Sequence, residues 1–154
     1  MDESVVRTML IGRRTLIVEW GDCDPAGIVY FPRYFQWFDG ATAALFEQAG
    51  LPKAAMLARF DIVGIPLVEA RSRFMKPSTF GDRVVVETWI AEWRRSSFDV
   101  RHKLFRGDDL AVEGFETRVW TVRTPGGGLE ARPIPAEVVA LFAGVEIPSS
   151  QERV

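Results

Sequence analysis

One helical stripe constrains this chain more than any other feature. Between residues 33 and 49, Tyr34, Phe38, Ala41, Leu45 and Ala49 recur at spacings of four, three, four and four, which lays them along one face of an α-helix. Both ends are marked. Pro32 stands at the first helical position, where an N–H would have no intrahelical acceptor and its absence costs nothing. Gly50 is placed to close the other end in a left-handed turn, and Pro52 stops continuation.

Most of the remaining chain reads as strand. Residues 15–20 are rich in β-formers, with Leu16, Val18 and Trp20 on one side and Thr15, Ile17 and Glu19 on the other. From Ile62 onward the period becomes two, and residues 65–75, 83–93, 98–106 and 110–123 are expected to form four long strands. Val68, Ala70, Ser72 and Phe74 share one face of the first of these. Lys76-Pro77, Gly81-Asp82 and a hairpin at Gly107-Asp108-Asp109 separate the strands. Arg94-Arg95-Ser96-Ser97 is expected as a bend, and the run from Pro125 to Gly128 ends the last strand. Residues 53–59 predict a helical turn and 135–142 a short helix, while residues 1–12 read as a loosely held arm and the final residues as frayed. A helix apolar on one face, followed by a meander of antiparallel strands with one apolar face, buries both when the sheet curls around the helix. The expected class is α+β, in one domain, and such a sheet leaves edges that favour dimerisation.

Composition narrows the function. A chain of 154 residues suits one core. Nineteen basic against twenty-one acidic residues, net charge −2, do not suggest a nucleic-acid partner. Cys23 is the only cysteine, so nothing demands an oxidising compartment. The N-terminal apolar run is broken by Arg7, Arg13 and Arg14, and no run approaches the ~20 apolar residues a membrane span needs. These features predict a cytoplasmic protein with no membrane partner.

Between residues 20 and 32, a glycine-punctuated loop carries Asp22 and Asp24 into the start of the helix. One reading is turn and N-cap chemistry. The other is catalysis, because a helix N-terminus offers unpaired N–H groups and partial positive charge to a developing oxyanion. Metal readings fail: a calcium loop would want acidic side chains where Ala26 and Arg33 stand. Zinc lacks ligands, with one histidine and one cysteine. Cys23, flanked by two carboxylates, is a poor nucleophile. His102 shares a strand face with Phe98, Val100 and Leu104 and reads as a satisfied core or interface histidine.

Three segments carry a family resemblance. Gly21-Asp22-Cys23-Asp24-Pro25-Ala26-Gly27-Ile28-Val29, Phe31-Pro32-Arg33-Tyr34 and Glu92-Trp93-Arg94-Arg95-x-Ser97-Phe98 resemble the 4-hydroxybenzoyl-CoA thioesterases, members of the hotdog-fold acyl-CoA thioesterases. The similarity runs from about residue 15 to about residue 143. It implies a curved antiparallel sheet of about five strands around one long central helix, spanning 1–154 with its core at about 13–143. It further implies hydrolysis of an aromatic, hydroxybenzoyl-like or benzoyl-like CoA thioester. No cofactor is implied beyond the coenzyme A of the substrate, and the assembly implied is a homodimer at least, often a homotetramer, with sites at the subunit interface.

By position, the family's catalytic carboxylate falls on Asp24, as nucleophile or general base, and its oxyanion donor on the backbone N–H of Phe31. Substrate-binding positions fall on Tyr30 and Asp39, the latter as partner for a substrate hydroxyl. The nucleotide end of CoA falls on Arg94 and Arg95, beside Ser96, where the family carries a third basic residue. Arg71, Arg73 or Arg101 are candidates to replace that contact. The bare pattern keeps other readings open: Asp39 has the spacing of a solvated helical residue, and Arg94 and Arg95 that of strand-edge arginines. Two rival functions remain, a non-catalytic acyl-CoA or aromatic-acid binding protein of the same fold and a thioesterase for short aliphatic acyl groups. The isolation of His102 disfavours the histidine-dependent dehydratases of this fold.

Overall fold

A computed structural model describes residues 5–7, 9–144 and 146–148. The order is β1 (Val5–Arg7), β2 (Gly12–Ile17), a 3-10 turn (Trp20–Asp22), α1 (Pro32–Gln48), α2 (Lys53–Phe60), β3 (Leu67–Phe74), β4 (Arg83–Trp93), β5 (Ser97–Arg106), β6 (Asp109–Val119), β7 (Thr121–Arg123), β8 (Leu129–Ala131), α3 (Ala136–Leu141) and β9 (Glu146–Pro148). Five strands form one antiparallel sheet in the order β2-β4-β5-β6-β3, with α1 packed on its inner face against β2 and β4. This is the α+β hotdog architecture expected.

The long helix forms as its pattern dictates. Pro32 is its first residue, Tyr34, Phe38, Ala41 and Leu45 are buried, and Gly50 takes a φ of +89° just past the end. Thr42 and Phe46 are buried as well, so the inward face is wider than the apolar stripe alone. Along β4, β5 and β6 burial alternates residue by residue, as period two requires.

Four expectations are corrected. The first strand of the sheet is Gly12–Ile17 rather than 15–20, because Trp20–Asp22 winds into a 3-10 turn and leaves Trp20 77% exposed. The four later strands are not a simple meander: β3 crosses to the far edge and pairs with β6, leaving β4-β5-β6 as the hairpin-linked run. The strand expected over 110–123 breaks at Trp120, whose N–H donates to the Ser96 carbonyl (2.8 Å). Beyond it, the Pro125–Gly128 run ends β7 as expected and turns the chain back into β8, which pairs antiparallel with it. Finally, Val5–Arg7 of the expected N-terminal arm pairs antiparallel with Glu146–Pro148. The expected fraying of the last residues, 149–154, lies outside the described residues.

The core has two apolar clusters. One gathers Val18, Val29, Tyr34, Phe38, Ala41, Val84, Val86, Leu104, Ala111 and Val112 under the first half of α1. The other gathers Leu45, Phe46, Leu51, Met56, Ile90, Phe98, Trp120, Val138 and Phe142 under its second half. Each fully buried large side chain contributes about 1.5–3 kcal/mol relative to exposure. The cross-strand row Thr88–His102–Gly114 lies between the rows of the two clusters.

Candidate active site

The acidic loop is held by backbone ties to its neighbours. Val29 N–H donates to the Ser78 carbonyl (2.9 Å), Tyr30 N–H to the Asp22 carbonyl (2.8 Å), and the Thr79 hydroxyl to the Gly27 carbonyl (2.7 Å). Gly27, at φ +80°, supplies the left-handed residue that the turn after Asp24 requires. Asp22 is a structural residue, since its Oδ2 accepts the Glu19 N–H (2.8 Å) and its Oδ1 lies 3.7 Å from Nε of Arg33. Asp24 is half-buried, and its Oδ1 accepts the Ala26 N–H (2.8 Å), a local turn bond that orients the carboxylate. Among the described residues, Oδ2 of Asp24 has no hydrogen-bond partner.

At the start of α1 the donors divide unequally. Arg33 N–H bonds the Tyr30 carbonyl (2.9 Å) and Tyr34 N–H the Phe31 carbonyl (3.1 Å), while Pro32 has none. The Phe31 N–H has no acceptor among the described residues. An unpaired carboxylate oxygen and an unpaired N–H at a helix N-terminus thus flank one short loop. That pairing suits addition to a carbonyl, which needs a nucleophile or base on one side and a donor for the oxyanion on the other.

Tyr30 and Phe31 are half-exposed and meet edge to face, with ring centroids 5.6 Å apart. Trp20 and Phe80 stack likewise at 5.7 Å, and Ile28 and Phe74 are exposed as well. Large apolar groups left in solvent around a candidate site mark a surface that another body covers.

The remaining expected residues fall into separate places. Asp39 is 65% exposed at its side chain, yet its Oδ1 accepts from Nη2 of Arg118 at 2.7 Å, so it is not a free solvated carboxylate. Arg94 is engaged: its fork grips Asp99 (3.0 and 2.6 Å) and its Nε donates to Ser97 Oγ (2.9 Å). That fork holds the Asp99 carboxyl below the usual carboxylate range, against a smaller opposing effect of burial. Arg95 is exposed, and its guanidinium has no ion-pair partner among the described residues. Ser96 is half-buried and spends its carbonyl on Trp120. Arg71 and Arg101 both lie over the Phe115 ring, at 4.3 and 4.7 Å. Among the described residues, no three His, Cys, Asp or Glu side chains converge as metal ligands do.

A buried polar network escaped the sequence reading. Glu116 is 4% exposed and accepts from Thr42 Oγ1 (3.0 Å), from Nε2 of His102 (3.0 Å) and from Nε and Nη2 of Arg118 (3.2 and 3.1 Å). Nδ1 of His102 meets Thr88 Oγ1 at 2.8 Å, and Phe38 stacks on the imidazole at 4.6 Å. Facing a carboxylate, Nε2 is the ring nitrogen that donates. Burial works against ionisation of Glu116, but its bonds to His102 and Arg118 outweigh it and hold the carboxyl below its ordinary range. The signal was present in β6, where the alternation of Val112, Gly114, Glu116, Arg118 and Trp120 puts two charges on the inward face.

A cavity of about 340 Å³ adjoins this network, lined by Asp39, Thr42, Lys53 and Arg118 on its polar side and by Phe46, Met56 and Ile65 among its apolar groups.

Comparison with known proteins places this geometry in a family. A family model described as the thioesterase-like superfamily matches residues 18–142. The 4-hydroxybenzoyl-CoA thioesterase of Pseudomonas sp. (strain CBS-3) is 40% identical over 131 residues, covering 80% of this chain and 92% of that protein. A solved Asp-to-Asn variant of 4-hydroxybenzoyl-CoA thioesterase, complexed with 4-hydroxybenzoyl-CoA, superposes with a TM-score of 0.79 at 34% identity, covering 86% of this chain and 99% of that one. A gentisyl-coenzyme A thioesterase structure gives a TM-score of 0.74 at 34% identity, covering 86% and 100% of the two chains. With its sheet, its central helix and its loop all matched, the chain belongs to the thioesterase-like, hotdog-fold superfamily.

Proposed function

We propose that this protein hydrolyses an aromatic acyl-CoA thioester of the hydroxybenzoyl or benzoyl type to the free acid and CoA. The observation that carries the reading is the pairing of a free Asp24 Oδ2 with a free Phe31 N–H across one loop. The thioester carbonyl oxygen accepts from Phe31 N–H, where the helix dipole favours the negative charge that develops. Asp24 then acts on the carbonyl carbon, either by direct attack to form a mixed anhydride that water cleaves, or by taking a proton from an attacking water. CoA thiolate leaves in both cases.

Asp39 serves as acceptor for a ring hydroxyl. Pro32, Phe35 and Asp39 follow at helical spacing, so they share one side of α1, and eight residues from Phe31 to Asp39 cover about 12 Å along the axis. An aromatic ring between a carbonyl and a para hydroxyl, with a hydrogen bond of about 3 Å at each end, spans a comparable length. Tyr30 lines the entrance. Of the basic pair, Arg95 makes the phosphate contact at the nucleotide end of CoA, since Arg94 is spent on Asp99; Ser96 adds a lesser contact.

The working unit is a homodimer at least. β3 is an edge strand whose Leu67, Val68 and Phe74 are 43%, 64% and 49% exposed, and pairing of two such edges covers them together with the aromatic groups around the loop. The whole chain acts as one hotdog domain. Among the described residues no helix is long and apolar enough to cross a membrane. The compartment proposed is the cytoplasm, since the lone Cys23 calls for no oxidising environment.

Release of CoA from benzoyl-, 4-hydroxybenzoyl- and short aliphatic acyl-CoAs tests the proposal. Turnover of the aromatic substrates is expected, and Asp24→Asn should lower kcat by about 100-fold or more while KM changes little. Binding without turnover throughout would make the protein a carrier. Retention of near-normal turnover by Asp24→Asn would remove that carboxylate from the chemistry.

A further inference from the structure

Arg118 is an unusual residue to bury, with only 7% of its side chain exposed. Its charge is matched by Glu116, itself 4% exposed, and Glu116 is fixed in turn by Thr42 on α1 and His102 on β5. Five N–H groups leave a guanidinium. Nε and one Nη2 hydrogen go to Glu116, the other Nη2 hydrogen to Asp39 Oδ1 (2.7 Å), and one Nη1 hydrogen to the Ile65 carbonyl (3.1 Å). A single Nη1–H is left. Both Asp39 and Arg118 line the 340 Å³ cavity, whose other walls are largely apolar.

An arginine at the surface of a pocket ordinarily offers its fork to an anion. Here the fork faces inward and is spent, and what the cavity meets is a carboxylate held in place from behind. Asp39 would otherwise be an exposed helical side chain free to change rotamer. One charge-assisted bond to a buried, doubly anchored partner ties down Oδ1 and leaves Oδ2 to accept.

Resting on the hydroxyl-acceptor reading of Asp39, we propose that Arg118, anchored through Glu116 to Thr42 and His102, is the positioning residue that makes the site selective for aromatic acyl groups bearing a hydrogen-bond donor at the end of the ring away from the thioester. A hydroxyl or amino substituent donates to the held carboxylate. A methoxy group cannot donate. The ring lies between Phe31 and Asp39 in all three and only the substituent reaches the cavity beyond Asp39, so discrimination resides in the substituent contact.

The experiment measures kcat/KM on benzoyl-CoA and its 4-hydroxy, 4-amino and 4-methoxy derivatives for the wild type, Asp39→Asn, Arg118→Lys, Arg118→Met and Glu116→Gln. In the wild type the two donors should exceed the methoxy compound by about tenfold or more. Arg118→Met and Glu116→Gln should shrink the ratio of 4-hydroxybenzoyl to benzoyl by about tenfold, mainly through KM, with benzoyl turnover little changed; Arg118→Lys should restore part of it. Preserved benzoyl turnover reports a folded enzyme, so a loss of ratio is not a loss of fold. If Arg118→Met lowers both substrates alike, or fails to fold, Glu116→Gln decides, and an unchanged ratio in that variant overturns the proposal. Should Asp39→Asn leave the ratio intact, the underlying reading of Asp39 falls. A ratio lost in Asp39→Asn but kept in the Arg118 and Glu116 variants sinks only the positioning role.

Discussion

Replacing Gly114 by alanine probes the packing beneath the candidate site with a single methyl group. Gly114 lies in the centre of the sheet, opposite His102 on β5 and Ser72 on β3. A Cβ there would stand 2.6 Å from both Cδ2 and Cε2 of Phe38 and 3.2 Å from Cβ of His102. Phe38 is 2% exposed and already stacked on the His102 imidazole, so displacing the ring disturbs buried contacts. Overpacking of this kind costs about 1–3 kcal/mol, and the lower backbone entropy of an unfolded alanine returns about 0.5–1 kcal/mol. A 2.6 Å approach to a buried ring belongs at the upper end of the overpacking cost, about 2–3 kcal/mol. The net loss is about 1–2.5 kcal/mol, which at this chain length lowers Tm by about 2–10 °C. Thermal and guanidinium unfolding followed by circular dichroism measure it. Gly126→Ala is the control, since a Cβ there meets nothing within 4 Å. Adding Phe38→Leu to Gly114→Ala should give a double variant less destabilised than the sum of the two singles, because the smaller side chain vacates the clash. A Gly114→Ala protein as stable as the parent would refute the claim that the ring is locked between helix and sheet.

Acid stability should follow the two depressed carboxyls, Glu116 and Asp99. With folded-state pKa values below the unfolded ones, their stabilisation is complete above about pH 4–5 and is lost as pH falls through the folded-state values. Glu116→Gln should therefore flatten the fall of Tm with acidification, and an unaltered pH profile would contradict it. Asp99→Ala frees the Arg94 fork and should cost about 1 kcal/mol, read from the unfolding midpoint; no loss would show the pair to be idle. Val68→Lys places a charge on the exposed edge of β3 and should shift light-scattering mass toward the monomer and reduce turnover. A dimer of unchanged mass and activity would rule out that edge as the interface.

Local pattern made a large part of this fold legible. The stripe through Tyr34, Phe38, Ala41 and Leu45, bounded by Pro32 and Gly50, encodes the helix because its side-chain period and its terminal residues agree. The period-two runs of β4 and β5 are read as directly, and so is the Gly107 hairpin. The loop around Asp24 was recognisable from the order of its residues.

Strand partnership was not legible. Antiparallel pairing depends on which edges meet in space, and nothing within 67–74 says that this strand joins β6 rather than β4. The break at Trp120 arises from a hydrogen bond to Ser96, a residue 24 positions away.

The site divides in the same way. Asp24 and Phe31 belong to one short loop and the helix start that follows it, so both were recognisable from the local order of residues. Whether Asp39 is solvated or held, whether Arg94 is free or spent, and whether Glu116 and Arg118 face water or the interior are decided by contacts across the sheet. Charges carry no period that announces a partner: an inward Glu or Arg is tolerated only where another strand or the helix supplies the opposite group, and only the folded chain brings Thr42, His102, Glu116 and Arg118 together.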